Sequence, residues 1–286
     1  MIDHAKTISA LYRGHHHNQE SLVASSDDLL DYIQKKSYLH REDAPLPIIA
    51  VPTTAGTGSE VTQWATIWDS ALPKKHSIEA SYLLPEEVWI VPELTHTLPP
   101  KLTLSTGLDA VCHAAEAYWA KPSTPLVKEL SIRSLQLITE NLHAAMESPN
   151  DPIPRKNMVV GALLAGLAFG QTRTTACHSI SYPLTSMYQV DHGFACALTL
   201  AQVAEINAGT VDLSSLFGVF APYGGLRQWL DYVCVDIVKL RLSDFGITES
   251  EIDSIVDHAF TGGRMDNNPV DLSRQDVKAI LEGIIK

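Results

Sequence analysis

The sequence predicts a chain in two parts, a mixed α/β part over residues 1–96 and an all-helical part over 97–286. Two observations carry this. Short apolar runs bounded by proline or turn residues recur before residue 96, at Leu46–Pro52 and around Trp64–Trp68, His76–Ala80 and Val88–Val91. From Leu98-Pro99-Pro100 onward such runs stop and helical periodicity continues to the end. The 286 residues are 45% hydrophobic and 19% charged, a globular composition with enough chain for a sizeable core.

Taken in order, Ile2–Tyr12 reads as an amphipathic helix without a cap. Gly14-His-His-His-Asn18 offers three adjacent histidines with no spacing that suits one metal site, and reads as a solvated loop. Ser26 is placed to cap a second helix. Leu46–Pro52 reads as a buried strand that empties into Thr53-Thr-Ala-Gly-Thr-Gly-Ser-Glu60. Glycine lets a ligand approach the backbone, and threonine and serine hydroxyls bond phosphate and ribose oxygens. The same turn is equally compatible with a purely structural role. Helices are expected over Gly107–Tyr118, Lys128–His143, from Asn157, and over Phe194–Ala208. Thr248…Glu251 and Ser273…Asp276 read as capping boxes that open later helices.

Bulk properties exclude several classes. A net charge of −12 argues against a nucleic-acid partner, since phosphate binding needs a basic surface. The longest apolar run, Met158–Phe169, is too short to span a bilayer, and no signal peptide is expected at Met1. The four cysteines form no CxxC pair, and a chain this long needs no disulfide for stability, so a reducing, cytoplasmic setting is expected. A small-molecule ligand fits these properties.

The chemistry gathers in the helical part. Asp109 and His113 stand four apart on one helix, so their side chains leave the same face one turn from each other. Such a pair is either half of a divalent-metal site or an ordinary polar pair. His178, in Thr174-Thr-Ala-Cys-His178, and His192, in Val190-Asp-His-Gly193, are too far apart for one helical turn. A return after Tyr188, with Gly193 allowing a sharp turn, can bring them together. One carboxylate with three imidazoles suits Fe²⁺ or Zn²⁺ and leaves a position open for a substrate oxygen.

The runs Val51-Pro-Thr-Thr-Ala-Gly-Thr-Gly-Ser-Glu-Val-Thr62, Gly107-Leu-Asp-Ala-Val-Cys-His-Ala-Ala-Glu-Ala-Tyr118 and His178-x3-Tyr182-Pro-Leu184, followed by Asp191-His-Gly193, resemble the iron-containing (group III) alcohol dehydrogenases. The closing segment Asp266–Asp276 is similar to that family's as well. The resemblance runs the length of the chain with the motifs in family order. It implies a truncated Rossmann-like α/β dinucleotide-binding domain (1–96) and an all-α metal-binding catalytic domain (97–286), in a dehydroquinate synthase-like architecture. The implied metal ligands are Asp109, His113, His178 and His192, holding Fe²⁺ or Zn²⁺. The implied cofactor is NAD or NADP, with Asp3, Thr53, Thr54, Thr57, Ser59 and Lys75 at cofactor-binding positions.

What the resemblance implies chemically is hydride transfer between the nicotinamide and a metal-polarised carbonyl, in an alcohol dehydrogenase or aldehyde reductase. Tyr182 stands where many family members have a second histidine. It is either a proton donor to the substrate oxygen or a ring packed under Pro183. Trp119, Phe169 and Tyr188 are candidate substrate-pocket walls or plain core. The Ser181-Tyr-Pro-Leu184 run is similar to the branch that reduces phosphonoacetaldehyde. In the family a Gly-Gly-Gly-Ser turn precedes the segment matching Ile2–Lys6, and this sequence starts just past it. The expectation is therefore weak cofactor affinity. The alternative function is a truncated, catalytically impaired relative that acts only as a metal-binding or assembly domain, and a sheet shortened at one edge favours a homo-oligomer.

Overall fold

The computed structural model describes residues 1–11, 31, 33–39, 45–69 and 74–286. The three-histidine loop and the helix expected from Ser26 lie outside them. The chain divides into two compact units. One comprises Met1–Pro52 and Ser59–Ile90, the other Thr53–Gly58 and Val91–Lys286.

In the first unit, helix α1 (Ile2–Leu11) packs on the hairpin of β2 (Trp64–Asp69) and β3 (Lys74–Glu79), which pair antiparallel with Trp64 opposite Glu79. Ala10, Ile33, Tyr38, Ala65, Ile78, Ala80 and Leu83 form its core. Strands β1 (Ile49–Ala50) and β4 (Glu87–Val88) pair in parallel over two residues each. Both are shorter than the apolar runs around them. Pro47, Pro52 and Pro85 donate no N–H, so the ladder cannot extend far past them.

Lys6 is fully buried, and its ammonium donates to the Ser59 carbonyl (2.6 Å), the Thr62 carbonyl (2.6 Å) and the Trp64 carbonyl (3.0 Å). Burial brings its pKa down to about 8 against the opposing pull of Asp3 and Glu60. One side chain of α1 thus gathers the chain from Ser59 to Trp64 around itself.

The second unit is a helical bundle. Its helices are α2 (Pro100–Trp119), α3 (Pro125–Glu147), α4 (Pro152–Thr172), α5 (Ala176–Tyr188), α6 (His192–Asn207), α7 (Ser214–Phe220), α8 (Leu226–Cys234), α9 (Ile252–His258) and α10 (Arg274–Glu282). Helix α2 is central, packed against α3, α4 and α6, and is buried on nearly every side beyond its first turn. That is why its apolar residues run all round rather than in a stripe.

Helix α4 begins five residues before the expected Asn157. Asp151 caps it through the Ile153 amide (3.0 Å), and Pro152 supplies the fixed φ of a first helical residue. The two expected capping boxes both form, Thr248 with Glu251 and Ser273 with Asp276. No helix among the described residues is long and apolar enough to cross a membrane.

Candidate metal centre

Four helical side chains converge inside the second unit. Asp109 and His113 come from α2, His178 from the first turn of α5, and His192 from the first residue of α6. The Asp109 Oδ1 lies 3.3 Å from His178 Nε2, 3.8 Å from His113 Nε2 and 3.9 Å from His192 Nε2. Donors bound to one ion at about 2.1 Å in a tetrahedron sit roughly 3.4 Å from each other. The Asp109–His178 separation matches that edge, and those to His113 and His192 are somewhat wider.

The polar atoms here fit a cation. Asp109 Oδ1 and His178 Nε2 are buried without a hydrogen-bond partner. Burying a carboxylate oxygen and a ring nitrogen unsatisfied is costly, and a shared divalent ion would satisfy both. Burial alone would raise the Asp109 carboxyl, but the imidazoles of His113, His178 and His192 hold it well below the usual carboxylate range. Burial pulls His113 down to about 4, so its imidazole is neutral at physiological pH.

Glu116, which motif reading overlooks, organises this set. It is fully buried on α2 and holds His178 Nδ1 through one carboxylate oxygen. Its other oxygen accepts from the amides of Thr175 (3.0 Å) and Cys177 (2.8 Å) and from the Thr175 hydroxyl (2.8 Å). Trp119 Nε1 donates to the same hydroxyl at 2.9 Å. A proton held at His178 Nδ1 by Glu116 would leave the Nε2 lone pair free to face an ion beside Asp109. Glu116 lies three residues past His113 and seven past Asp109, so its place on the same helical face was readable from spacing. Glu116→Gln is expected to lower metal affinity by about 10–100-fold, because an amide can donate to Nδ1 and permit the wrong tautomer. A chelator competition on folded variant and parent measures it, and equal affinities would contradict this role.

The return from α5 to α6 differs from expectation. The left-handed residue is Gln189 (φ 58°), not Gly193. Gly193 is helical, and its hydrogen side chain is required because α6 presses on the Ser105 backbone of α2. Cys196, one turn beyond His192, also escaped the motif reading. Its Sγ lies 3.8 Å from His192 Nε2.

Phe169 stacks on His113 with ring centroids 4.0 Å apart. The loop Thr53–Gly58 meets this ring. A Cβ on Gly58 would lie 3.0 Å from Phe169 Cε1 and 2.6 Å from the Gly166 Cα, and Gly58 has φ +59°. Gly58→Ala is therefore expected to cost roughly 1–3 kcal/mol, from backbone strain with steric conflict. Denaturant unfolding checks this; an unchanged midpoint would contradict the packing.

Of the other expected cofactor positions, Thr53 and Thr57 are exposed and Thr54 is half-buried. The Asp3 carboxylate holds the Ser59 hydroxyl with one oxygen and accepts from the Thr66 amide (2.8 Å) with the other. Lys75 lies on β3, and its side chain is outside the described set. Tyr182 is half-buried, with its ring parallel to His192 and centroids 6.2 Å apart. Trp119 is core, bonded to Thr175, and Tyr188 ends α5 half-buried.

A buried carboxylate beside three imidazoles on a helical bundle is a donor set that could hold a divalent cation. Residues 103–215 match the family model described as Fe-containing alcohol dehydrogenase family, C-terminal, and residues 1–92 match that of iron-containing alcohol dehydrogenase. The chain is 31% identical over 276 residues to long-chain-alcohol dehydrogenase 1 of Geobacillus thermodenitrificans, covering 91% of this chain and 69% of that protein. It is 31% identical to alcohol dehydrogenase 4 of Schizosaccharomyces pombe, over 83% of this chain and 58% of that one.

The crystal structure of sulfoacetaldehyde reductase from Bifidobacterium kashiwanohense in complex with NAD⁺ superposes with a TM-score of 0.82 at 29% identity, covering 99% of this chain and 73% of that chain. The chain belongs to the iron-containing alcohol dehydrogenase family. It spans about three fifths of the length of the fission-yeast relative.

Proposed function

We propose that this protein is a metal-dependent, NAD(P)-linked alcohol dehydrogenase or aldehyde reductase. The observation that carries the proposal is the Asp109 oxygen, buried without a hydrogen bond and facing three imidazole nitrogens. In this reading Asp109, His113, His178 and His192 hold Fe²⁺ or Zn²⁺. Residues 97–286 serve as the metal-binding catalytic domain, and residues 1–96 as a partial dinucleotide-binding domain. Thr53, Thr54, Thr57 and Ser59 contact NAD or NADP, and Lys75 reaches its ribose. Asp3 acts on the cofactor side by holding Ser59.

A bound divalent ion supplies Lewis acidity to a carbonyl or alcohol oxygen. The chain's own residues do the rest. Glu116 fixes the tautomer and aim of His178. Phe169 covers one face of His113 and keeps water from that side. Tyr182, beside His192, donates or relays the proton at the substrate oxygen.

The substrate is a small aldehyde or alcohol. A version with an anionic headgroup draws support from the Ser181–Leu184 run and from 29% identity to the sulfoacetaldehyde reductase of Bilophila wadsworthia. A cytoplasmic location is favoured by four buried cysteines, all free. A homo-oligomer is expected, and sizing by light scattering reads it.

The test is metal content with NADH and NADPH titration on protein purified without air or chelator. An aldehyde panel that includes butyraldehyde, sulfoacetaldehyde and phosphonoacetaldehyde follows. One metal per chain, with weak but measurable cofactor binding and turnover, is the expected result. Metal without cofactor binding would reduce the chain to a metal-binding or assembly domain, and absence of metal would remove the proposal.

A further inference from the structure

The turn from α4 to α5 carries a second set of charged groups, outside the four donors. Arg173 closes α4, and its N–H donates to the Phe169 carbonyl at 2.6 Å. Its φ of +66° is a left-handed conformation that glycine adopts freely and arginine does not. Phe169 covers His113, and His178 lies five residues past Arg173, so this arginine stands between two residues of the centre along the chain. The loop from Ala259 to Asn267 is fastened to the same turn at both ends. The Ser179 hydroxyl donates to the Ala259 carbonyl (2.6 Å) and accepts from the Thr261 amide (3.0 Å). The Asn267 side-chain amide donates to the carbonyls of Thr172 (2.8 Å) and Thr174 (3.0 Å). Between those fastenings, Arg264 Nη1 donates to the Gly263 carbonyl at 3.0 Å. A Cβ on Gly263 would lie 3.1 Å from Arg173 Nη1, so the absence of a side chain keeps this space open. Two guanidinium groups thus meet at one glycine, from two separate segments of the bundle. Both arginines are half-buried.

We infer that Arg173 and Arg264 are specificity-determining residues that receive the anionic head of a short aldehyde, a sulfonate or a phosphonate. The inference rests on the proposed reading of the metal centre as an aldehyde site and names a substrate class for it. Like charges held beside one residue repel, and an oxyanion shared between them turns that repulsion into attraction. The N–H groups of a guanidinium point in a fixed fork, so each arginine can donate to two oxygens of one head group. Sulfonate and phosphonate both present three such oxygens. An uncharged aldehyde of the same length offers neither fork an acceptor, so the pair separates charged from neutral substrates by the head group rather than by the reacting carbonyl.

The experiment measures binding of ethanesulfonate, ethylphosphonate and uncharged ethanesulfonamide to the full chain by calorimetry at constant ionic strength, with metal content read on the same samples. The expected result is binding of at least one anion and none of the sulfonamide, and the tighter anion names the head group. Arg264→Gln is expected to weaken that anion about 10-fold or more with metal content unchanged. Arg264→Lys, which keeps the charge and loses the fork, should fall between the two. In turnover, Arg264→Gln should raise KM about 10-fold or more for sulfoacetaldehyde or phosphonoacetaldehyde and leave butyraldehyde within about 3-fold. Arg173→Gln serves if Arg264→Gln does not fold, and the wild-type titration is informative without either. A wild-type chain that binds neither anion, or glutamine variants that bind as tightly as wild type, would overturn the inference, and turnover of butyraldehyde in that case would leave the aldehyde reading standing. Anion binding without turnover of any aldehyde would overturn that reading and the substrate assignment with it.

Discussion

Asp109→Ala is expected to lose the metal while the helical unit stays folded. The carboxylate is the one anionic donor facing all three imidazoles, at 3.3, 3.8 and 3.9 Å. Without it the three nitrogens retain no counter-charge directed at the ion. Loss of a supporting contact costs about 10–100-fold in affinity, so loss of the charged ligand should exceed about 100-fold. Folding should persist because the variant removes no backbone contact of α2 and shortens one side chain.

Thermal unfolding gives an independent reading. An ion at about 100 times its Kd adds about 2.7 kcal/mol to the native state. For a body of this size that raises Tm by roughly 5–10 °C. Wild type should show this shift on metal addition, and Asp109→Ala should show almost none. Metal retained at one per chain after dialysis of the variant would remove Asp109 from the ligand set.

Gly193→Ala should damage both stability and metal binding, though it alters no donor. An added Cβ would lie 1.7 Å from the Ser105 carbonyl oxygen and 2.6 Å from its carbonyl carbon. Both obstacles are backbone, so no rotamer change relieves them, and α6 must move away from α2. Overpacking costs about 1–3 kcal/mol where side chains can shift, and a backbone obstacle puts this site at or above the upper end. Ser105 is one turn before Asp109, and Gly193 follows His192, so the displacement separates two donors directly. Expected outcomes are a stability loss of about 3 kcal/mol by denaturant unfolding and at least a 10-fold loss of metal affinity. A variant within about 0.5 kcal/mol of wild type would show that the two helices can part freely.

The donor spacing at Asp109 and His113 was legible because helical periodicity alone fixes which residues share a face. His178 and His192 could be joined to that pair from sequence only as a possibility that the resemblance sharpened, since what joins them is tertiary: α5 and α6 enter the bundle at their N-terminal ends beside the middle of α2. The role of Gly193 was misread for the same reason. A glycine at a turn and a glycine at a helix crossing look alike in sequence, and only the Ser105 carbonyl tells them apart. Glu116 and Cys196 were accessible in principle, at i+3 from His113 and i+4 from His192. They went unread because neither belongs to the quoted ligand pattern. Strands β1 and β4 were located but overextended, because apolar composition does not reveal where prolines end a ladder.

Glu116 has a consequence beyond aiming one imidazole. Thr175 makes no side-chain cap for α5, and the carboxylate of Glu116 reaches across from α2 to accept the amides that begin that helix. The group that orients His178 is therefore also the anchor of the helix that carries it. Backbone order at the start of α5 and ligand order at the centre are established by the same folding event, before any ion arrives. Capture of an ion then freezes few rotamers and little chain, so its entropic penalty is small and association should follow a single step with no slow conformational phase. The amides of Thr175 and Cys177 should be nearly as protected from hydrogen exchange in the metal-free protein as in the loaded one.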